Sequence, residues 1–346
     1  MAFGTTVIPD TYAPVLDLRE TEKAIKSVKD FFEEALADAL NLERITAPLF
    51  VEAGSGINDD LNGVEAPVRF PVKGLGDRPV EVVQSLAKWK RLMLAKLDVH
   101  AGEGIYTDMT AIRPDEVLDS LHSIYVDQWD WERTIRGDER NLAVLKSTVR
   151  KIYRVLRRTE AFIVGKYPEL GTSLPETIGF IHAEELEERY PSLSPAQREH
   201  RIAEEYGAVF VIGIGSPLSN GEPHDGRAPD YDDWTTPNGR GLGLNGDIIV
   251  WYPVLRRALE LSSMGIRVDP DALRRQLEIR GCLEREHLYF HRTLLGGSLP
   301  PSIGGSIGQS QLCMYYLRKA HVGEVHASIW PAGMIEECRA RSIPLL

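Results

Sequence analysis

Over residues 20–42 the apolar side chains Ala24, Ile25, Val28, Phe31, Phe32, Ala35, Leu36 and Leu40 recur at intervals of three and four, with acidic residues on the outer face. That period describes an amphipathic helix, and its apolar stripe has to be covered by a second layer of structure. Pro48 has no amide hydrogen and its ring forbids helix continuation, so the apolar run 45–51 is expected to be a strand, with a loop over 54–60 behind it. A long helix that hands over to an extended segment calls for a sheet on which the helix can lie.

Further along, residues 85–97 and 141–167 carry a helical period, and 106–131 reads as two strands joined by a loop at Arg113-Pro-Asp-Glu116. The β-branched runs 208–212 and 247–251 are expected to be buried strands. Residues 219–246, rich in Gly, Pro, Asp and Asn, form a loop of a length that usually carries function. Residues 300–308 read as a glycine-rich approach to a helix over 309–321. No repeat or linker divides the 346 residues, which favours one elaborated domain. Hydrophobic residues at 43% and charged residues at 26% are ordinary for a soluble protein, and no run is apolar enough to span a membrane. The net charge of -11 disfavours nucleic acid as a partner, and no local basic surface is evident to offset it. Cys282, Cys313 and Cys338 lie far apart without CxxC spacing, and the N-terminus has no leader pattern, so a reducing, cytoplasmic setting is expected.

Several motifs fail on inspection. Leu218 stands where a dinucleotide fingerprint beginning at Gly213-Ile-Gly215 needs its third glycine. Gly304-Gly-Ser306-Ile-Gly308 has the letters of a nucleophile elbow, yet Pro300 and Pro301 occupy the place of the strand it requires. His287 and His291 share a helix face, but Leu288 replaces the glutamate of a zinc-protease motif. Trp129 and Trp131 flank Asp130 and read as core packing. No P-loop is present, so any use of ATP has to rest on another fold.

Three segments do combine. The helix leading to Pro48 resembles motif 1 of class II aminoacyl-tRNA synthetases, a dimer-forming element; Ala111-Ile-Arg113-Pro-Asp-Glu116 resembles motif 2; and the glycine-rich segment before residue 309 sits where motif 3 should be. The connecting text is more specific: Ser85-Leu-Ala-Lys-Trp-Lys90-Arg91, His122-Ser-Ile-Tyr-Val-Asp-Gln128-Trp-Asp130-Trp-Glu132, Arg227-Ala-Pro-Asp-Tyr-Asp232-Asp-Trp234, Leu244-Asn-Gly-Asp247 and Glu260-Leu-Ser-Ser263-Met-Gly-Ile-Arg267-Val268. Together these are similar to the ammonia-dependent asparagine synthetases, aspartate–ammonia ligases built on a class II catalytic domain without tRNA-binding parts. The resemblance implies an α+β fold with a mixed, mainly antiparallel sheet flanked by helices, a single catalytic domain over 20–346 behind a tail at 1–19, and a homodimer formed through 20–51.

It also implies a chemistry: ATP activates the β-carboxylate of L-aspartate to β-aspartyl-AMP, and ammonia displaces AMP to give asparagine. Two anions must meet, so cations have to offset their repulsion. The resemblance gives Arg113 to the α-phosphate and reacting carboxylate, since its fork donates two charge-assisted bonds, and Lys90 to a substrate carboxylate. Asp59, Gln128, Asp130 and Asp232 become acceptors for the substrate ammonium and the incoming ammonia, with Ser263 beside them; Asp59 or Asp232 could take the proton of NH₄⁺. Gln84, Ser85, Ser123, Val126 and Ser262 are expected along the nucleotide, Arg267 as a second phosphate contact, and Asp247 with Glu260 as Mg²⁺ ligands.

The chain departs from the pattern in motif 3, where Ser306 replaces a glycine and Gln311 replaces the arginine that stacks on adenine and meets the terminal phosphate. Losing a charge-assisted contact of ~1.5–3 kcal/mol weakens nucleotide binding roughly ten- to hundredfold. Gln84 stands for an expected histidine, and Ser55 for an acidic residue. These departures leave a second reading beside the ligase: a divergent paralogue using another amine or acid, or a catalytically weak regulator that binds an amino acid or AMP.

Overall fold

The structure, a computed structural model, describes residues 8–59, 61 and 65–346. Helix α1 (Leu18–Leu40) starts where Asp17 accepts the Glu20 amide at 2.8 Å and stops where Asn41 turns left-handed. The expected single strand over 45–51 is instead β1 (Leu42–Arg44) and β2 (Phe50–Glu52), flanking an irregular stretch around Pro48. A proline cannot donate to a strand ladder, so the pairing breaks there. β3 (Arg69–Val72) and β4 (Arg78–Val82) join β2 in a small sheet of order β2-β4-β3.

The chain continues through α2 (Ala87–Lys96), β5 (Gly104–Ile112), β6 (Tyr125–Thr134), α3 (Leu142–Lys166), β7 (Gly179–His182), α4 (Ala183–Arg189), α5 (Pro195–Tyr206), β8 (Ala208–Ile212), β9 (Asn245–Tyr252) and β10 (Arg257–Ile266). It closes with α6 (Pro270–Ile279), α7 (Tyr289–Leu295), β11 (Ser302–Gly308), α8 (Gln309–Tyr316) and α9 (Ala332–Ala340). Among the described residues the main sheet has the order β1-β5-β6-β11-β10-β9-β8-β7. Its end strands β1 and β7 run parallel to their neighbours and the strands between pair antiparallel, the expected α+β arrangement.

The glycine-rich segment is therefore a central strand, β11, and α8 is shorter than the helix expected over 309–321. Glycine is depleted in strands, so nothing local marked this one. Strand β6 shows how the layers divide. Trp129 and Trp131 point to one face, fully buried, where Phe32 of α1 meets Trp129 at 4.8 Å between ring centroids. Phe31 of α1 stacks on Phe162 of α3 at 4.2 Å, so the two helices close this face together. Gln128, Asp130 and Glu132 take the alternate positions and face away from the helices, as the period of a strand requires.

Two expectations change. Ile8 and Leu16 are buried and the Tyr12 hydroxyl donates to Glu324 at 2.9 Å, so residues 8–17 lie against the body of the protein; residues 1–7 of the expected tail fall outside the described residues. A local basic surface does exist: α3 carries Lys146, Arg150, Lys151, Arg154, Arg157, Arg158 and Lys166, and the global charge balance hid it.

Candidate active site

The strand register aligns a polar row across the sheet. Asp130 of β6 pairs with Ser306 of β11, Ser306 with Ser263 of β10, and Ser263 with Asp247 of β9, so all four side chains share the face opposite the helices. The next row of that face runs Glu132, Gly304, Gly265 and Asn245. Its two glycines are spatial necessities. A Cβ at Gly304 would overlap the Glu132 carboxylate and lie 2.5 Å from an Arg267 nitrogen, and one at Gly265 would lie 2.7 Å from Asp232 Oδ1.

Into that space fits a buried charge network. Arg267 binds both Glu132 oxygens, with its Nη2 at 2.8 Å from Oε2, and also binds Asp232. Ser302 Oγ adds a bond to Glu132 at 2.7 Å. Lys90, 1% exposed, places its ammonium 2.5 Å from Asp130 Oδ1, 3.0 Å from the Trp131 carbonyl and 3.2 Å from that of Gly305. Burial pulls the Lys90 ammonium down from its ordinary value, against the pull of Asp130 and Glu132. Burial likewise opposes the charges of Glu132 and Arg267, yet their mutual attraction prevails, holding Glu132 below the usual carboxylate range and Arg267 above its own. For Asp232 burial outweighs the nearby arginines and raises the carboxyl.

Above this floor lie two adjoining cavities. The first, of about 400 Å³, is lined by Gln84, Ser85, Arg113, Gln128, Asp130, Asp232, Glu260, Ser263 and Arg267 among others. The second, of about 300 Å³, takes in Ser123, Val126, Ser262 and Gln311, and shares Arg113, Gln128, Glu260, Ser263 and Ser306 with the first. Arg113 thus stands at the junction. Its Nε, like Gln84 Oε1 and Ser262 Oγ, is buried with no hydrogen-bond partner among the described residues, an arrangement proteins seldom leave unless a ligand completes it.

Three of the expected site residues stand behind these walls. Asp59, 3% exposed, is tied to the first cavity through its carbonyl, which accepts from Gln84 Nε2 at 3.0 Å. Lys90 lies beneath Asp130 with its three donors engaged, and Asp247 is covered by Arg227, whose Nη2 reaches both of its oxygens at 2.5 Å. Arg267 lines only the first cavity, bound to carboxylates.

Asp247 and Glu260 are carboxylates, the donor type that suits a divalent cation. Glu260 opens onto both cavities, yet withdrawal from bulk water in the cleft and the Asp247 carboxylate push its carboxyl up to about 8. A pair of neighbouring carboxylates is the donor set that Mg²⁺ takes when it completes its shell with phosphate oxygens and water. Among the described residues no group of three or more His, Cys, Asp or Glu could hold a metal unaided.

Sequence reasoning missed Glu132, Arg227 and Asp230. Asp230 is fully buried, meeting Lys88 at 3.3 Å, Arg285 at 3.4 Å and His291 at 3.0 Å, and so ties the 225–232 loop to α2 and α7. All three lie inside the charged runs already singled out; their partners lie far away in the chain.

Comparison with known proteins agrees with this geometry. A family profile described as aspartate–ammonia ligase matches residues 19–342. Proteins named aspartate–ammonia ligase from Bacteroides thetaiotaomicron and Clostridium perfringens are each 57% identical over 339 residues, covering 98% of this chain and 98% of their own length. Among solved structures, Entamoeba histolytica asparaginyl-tRNA synthetase in complex with asparaginyl-adenylate superposes with a TM-score of 0.67 at 14% identity. That match covers 89% of this chain and 66% of that one, and it establishes a class II synthetase fold. With relatives more than half identical across nearly the whole chain, this enzyme belongs to the aspartate–ammonia ligase family.

Proposed function

We propose that the paired cavities activate L-aspartate with ATP and then aminate it to asparagine, releasing pyrophosphate and AMP. The observation that carries this reading is Arg113, a cation with an unpartnered buried donor at the one place where an acid in the first cavity and a nucleotide in the second would meet. Its planar fork can hold an α-phosphate oxygen and a carboxylate oxygen together, offsetting the repulsion of two anions in a low-dielectric cleft.

In the first cavity Asp232 holds the substrate ammonium, with the Asp59 carboxylate behind the wall adding negative charge to that end, while Arg267 fixes Asp232 and offers its remaining surface to the α-carboxylate. Lys90 acts as a positioning residue that aims Asp130. An oxygen of the β-carboxylate attacks the α-phosphorus and pyrophosphate leaves; ammonia then attacks the acyl carbon and AMP departs with the bonding pair. Gln128, Ser263 and Ser306 surround that carbon. Asp232, its carboxyl raised by burial, is suited to take the proton of NH₄⁺. In the second cavity Ser123, Val126 and Ser262 line the nucleotide and Gln311 offers a neutral amide, while Gln84 and Ser85, expected along the nucleotide, line the first cavity instead. Asp247 and Glu260 would hold Mg²⁺, which supplies charge neutralisation to the departing pyrophosphate.

We further read 20–346 as one catalytic unit working in the cytoplasm as a homodimer through residues 20–51, where Leu49 and Phe50 expose apolar surface. Among the described residues no helix is long and apolar enough to cross a membrane. The test of the activation step is ATP–pyrophosphate exchange with Mg²⁺ and aspartate and without ammonia. Exchange that requires aspartate supports adenylation; absence of exchange with every acid offered contradicts it.

A further inference from the structure

The second cavity presents a charge problem. A triphosphate has to enter it, yet its wall includes Glu116, Asp127, Glu199 and Glu260. Asp127 is neutralised by Lys29 at 2.9 Å, and Glu199 lies 2.9 Å from His224. Of the cationic or basic side chains on the wall, Arg113 stands at the junction where the α-phosphate belongs. His326 is tied to Ser310 Oγ at 2.7 Å and is biased to the neutral form by burial. Gln311, on the first turn of α8, folds its uncharged amide back over Gly308.

Two groups are left, and they sit together on the outer wall. Arg257, the first residue of β10, has its guanidinium 4.0 Å from Asp119, and His122 Nδ1 lies 2.8 Å from the same carboxylate. Asp119 is itself fixed by the amides of Leu121 at 2.7 Å and His122 at 2.8 Å. Burial favours neutral His122, but the Asp119 bond overrides it and raises the imidazole's basicity, so one carboxylate organises a guanidinium and an imidazole side by side. The Arg257 side chain is 38% exposed and its stem can swing, which leaves its fork able to turn to an incoming anion.

We propose that Arg257 and His122, held side by side by Asp119, bind the terminal phosphates of ATP and supply the charge that Gln311 lacks. They are specificity-determining residues that separate a nucleoside triphosphate from a monophosphate. This inference rests on the ligase reading only in taking ATP as the occupant of the second cavity.

The test is calorimetric binding of β,γ-methylene-ATP with Mg²⁺, and separately of AMP, to the full-length protein. Arg257→Gln should weaken the analogue on the order of tenfold or more, the scale of one charge-assisted contact, while AMP changes less than twofold. His122→Gln should act in the same direction with a smaller change. Gln311→Arg placed in the Arg257→Gln background should recover analogue affinity, a rescue that a structural role for Arg257 would not produce. Unchanged analogue binding in Arg257→Gln, or equal losses for analogue and AMP with the thermal midpoint intact, overturns the proposal. A wild-type protein that binds AMP and aspartate but not the analogue overturns it as well, and one that binds neither nucleotide overturns the ligase reading together with it.

Discussion

Replacing Arg267 with Met tests whether the site is organised by its buried charges. Arg267 is 3% exposed and joins Glu132, which is fully buried, to Asp232, at 2%. Arg267→Met leaves two buried carboxylates without their bonded cation; Lys90, which already serves Asp130, approaches Glu132 only to 4.0 Å, and Arg91 and Arg227 act on the pair only from farther off. Removing one partner of a buried pair costs ~3–5 kcal/mol. With an unfolding entropy of ~2.1 cal/mol/K per residue, a chain of 346 residues loses about 1.4 °C per kcal/mol, so the midpoint should fall by about 4–7 °C. The loss should depend on pH. Glu132 is held below its ordinary value, so the stability it contributes is present above its unfolded pKa and disappears as pH falls through the folded one. In the variant both carboxyls lose their cation and shift upward, so acid relieves the repulsion and the gap to wild type narrows. Thermal melts at pH 8 and pH 5 measure this directly, and a gap that is absent, or equal at the two pH values, refutes the network as a source of stability.

Other expectations follow from neighbouring contacts. Gly304→Ala puts a methyl group into the Glu132 carboxylate and against Arg267, so it should destabilise by about 1–3 kcal/mol and weaken aspartate binding more than AMP binding; calorimetry with both ligands checks the difference. Lys90→Met and Asp130→Asn, combined in a double-mutant cycle by urea denaturation, should show a coupling of ~1–3 kcal/mol for a pair 2.5 Å apart, and strict additivity would mean the contact contributes nothing. Gln311→Arg in the otherwise unchanged protein should lower the Michaelis constant for ATP; an unchanged or higher constant would show that this side chain does not face the nucleotide.

The parts of the fold legible in the sequence were those whose pattern is local. Residues 208–212 form β8 as their unbroken apolar run indicates, and α3 begins at Leu142 because Asn141 caps it by accepting the Val144 amide at 3.0 Å. The alternation from Gln128 to Glu132 sends Trp129 and Trp131 to the core and Gln128, Asp130 and Glu132 to the opposite face through strand geometry alone. Strand β11 escaped notice because its glycines serve neighbours: Gly304 leaves room for a pair formed by Glu132 and Arg267, which are 135 positions apart. β10 was hidden by Glu260, Ser262 and Ser263, polar residues that interrupt an apolar pattern because they face the cavities. Charged partners such as Arg227 for Asp247 and Glu132 for Arg267 are chosen by strand register and loop return, which local spacing does not encode.

The most direct measurement is a product analysis of the complete reaction, with ATP, Mg²⁺, L-aspartate and ammonium, following pyrophosphate, AMP and asparagine together. Equal amounts of the three, abolished by Arg113→Ala in a protein that still melts cooperatively, are the predicted result. ADP and orthophosphate in place of AMP and pyrophosphate, or full activity without Arg113, would contradict adenylation at the junction of the two cavities.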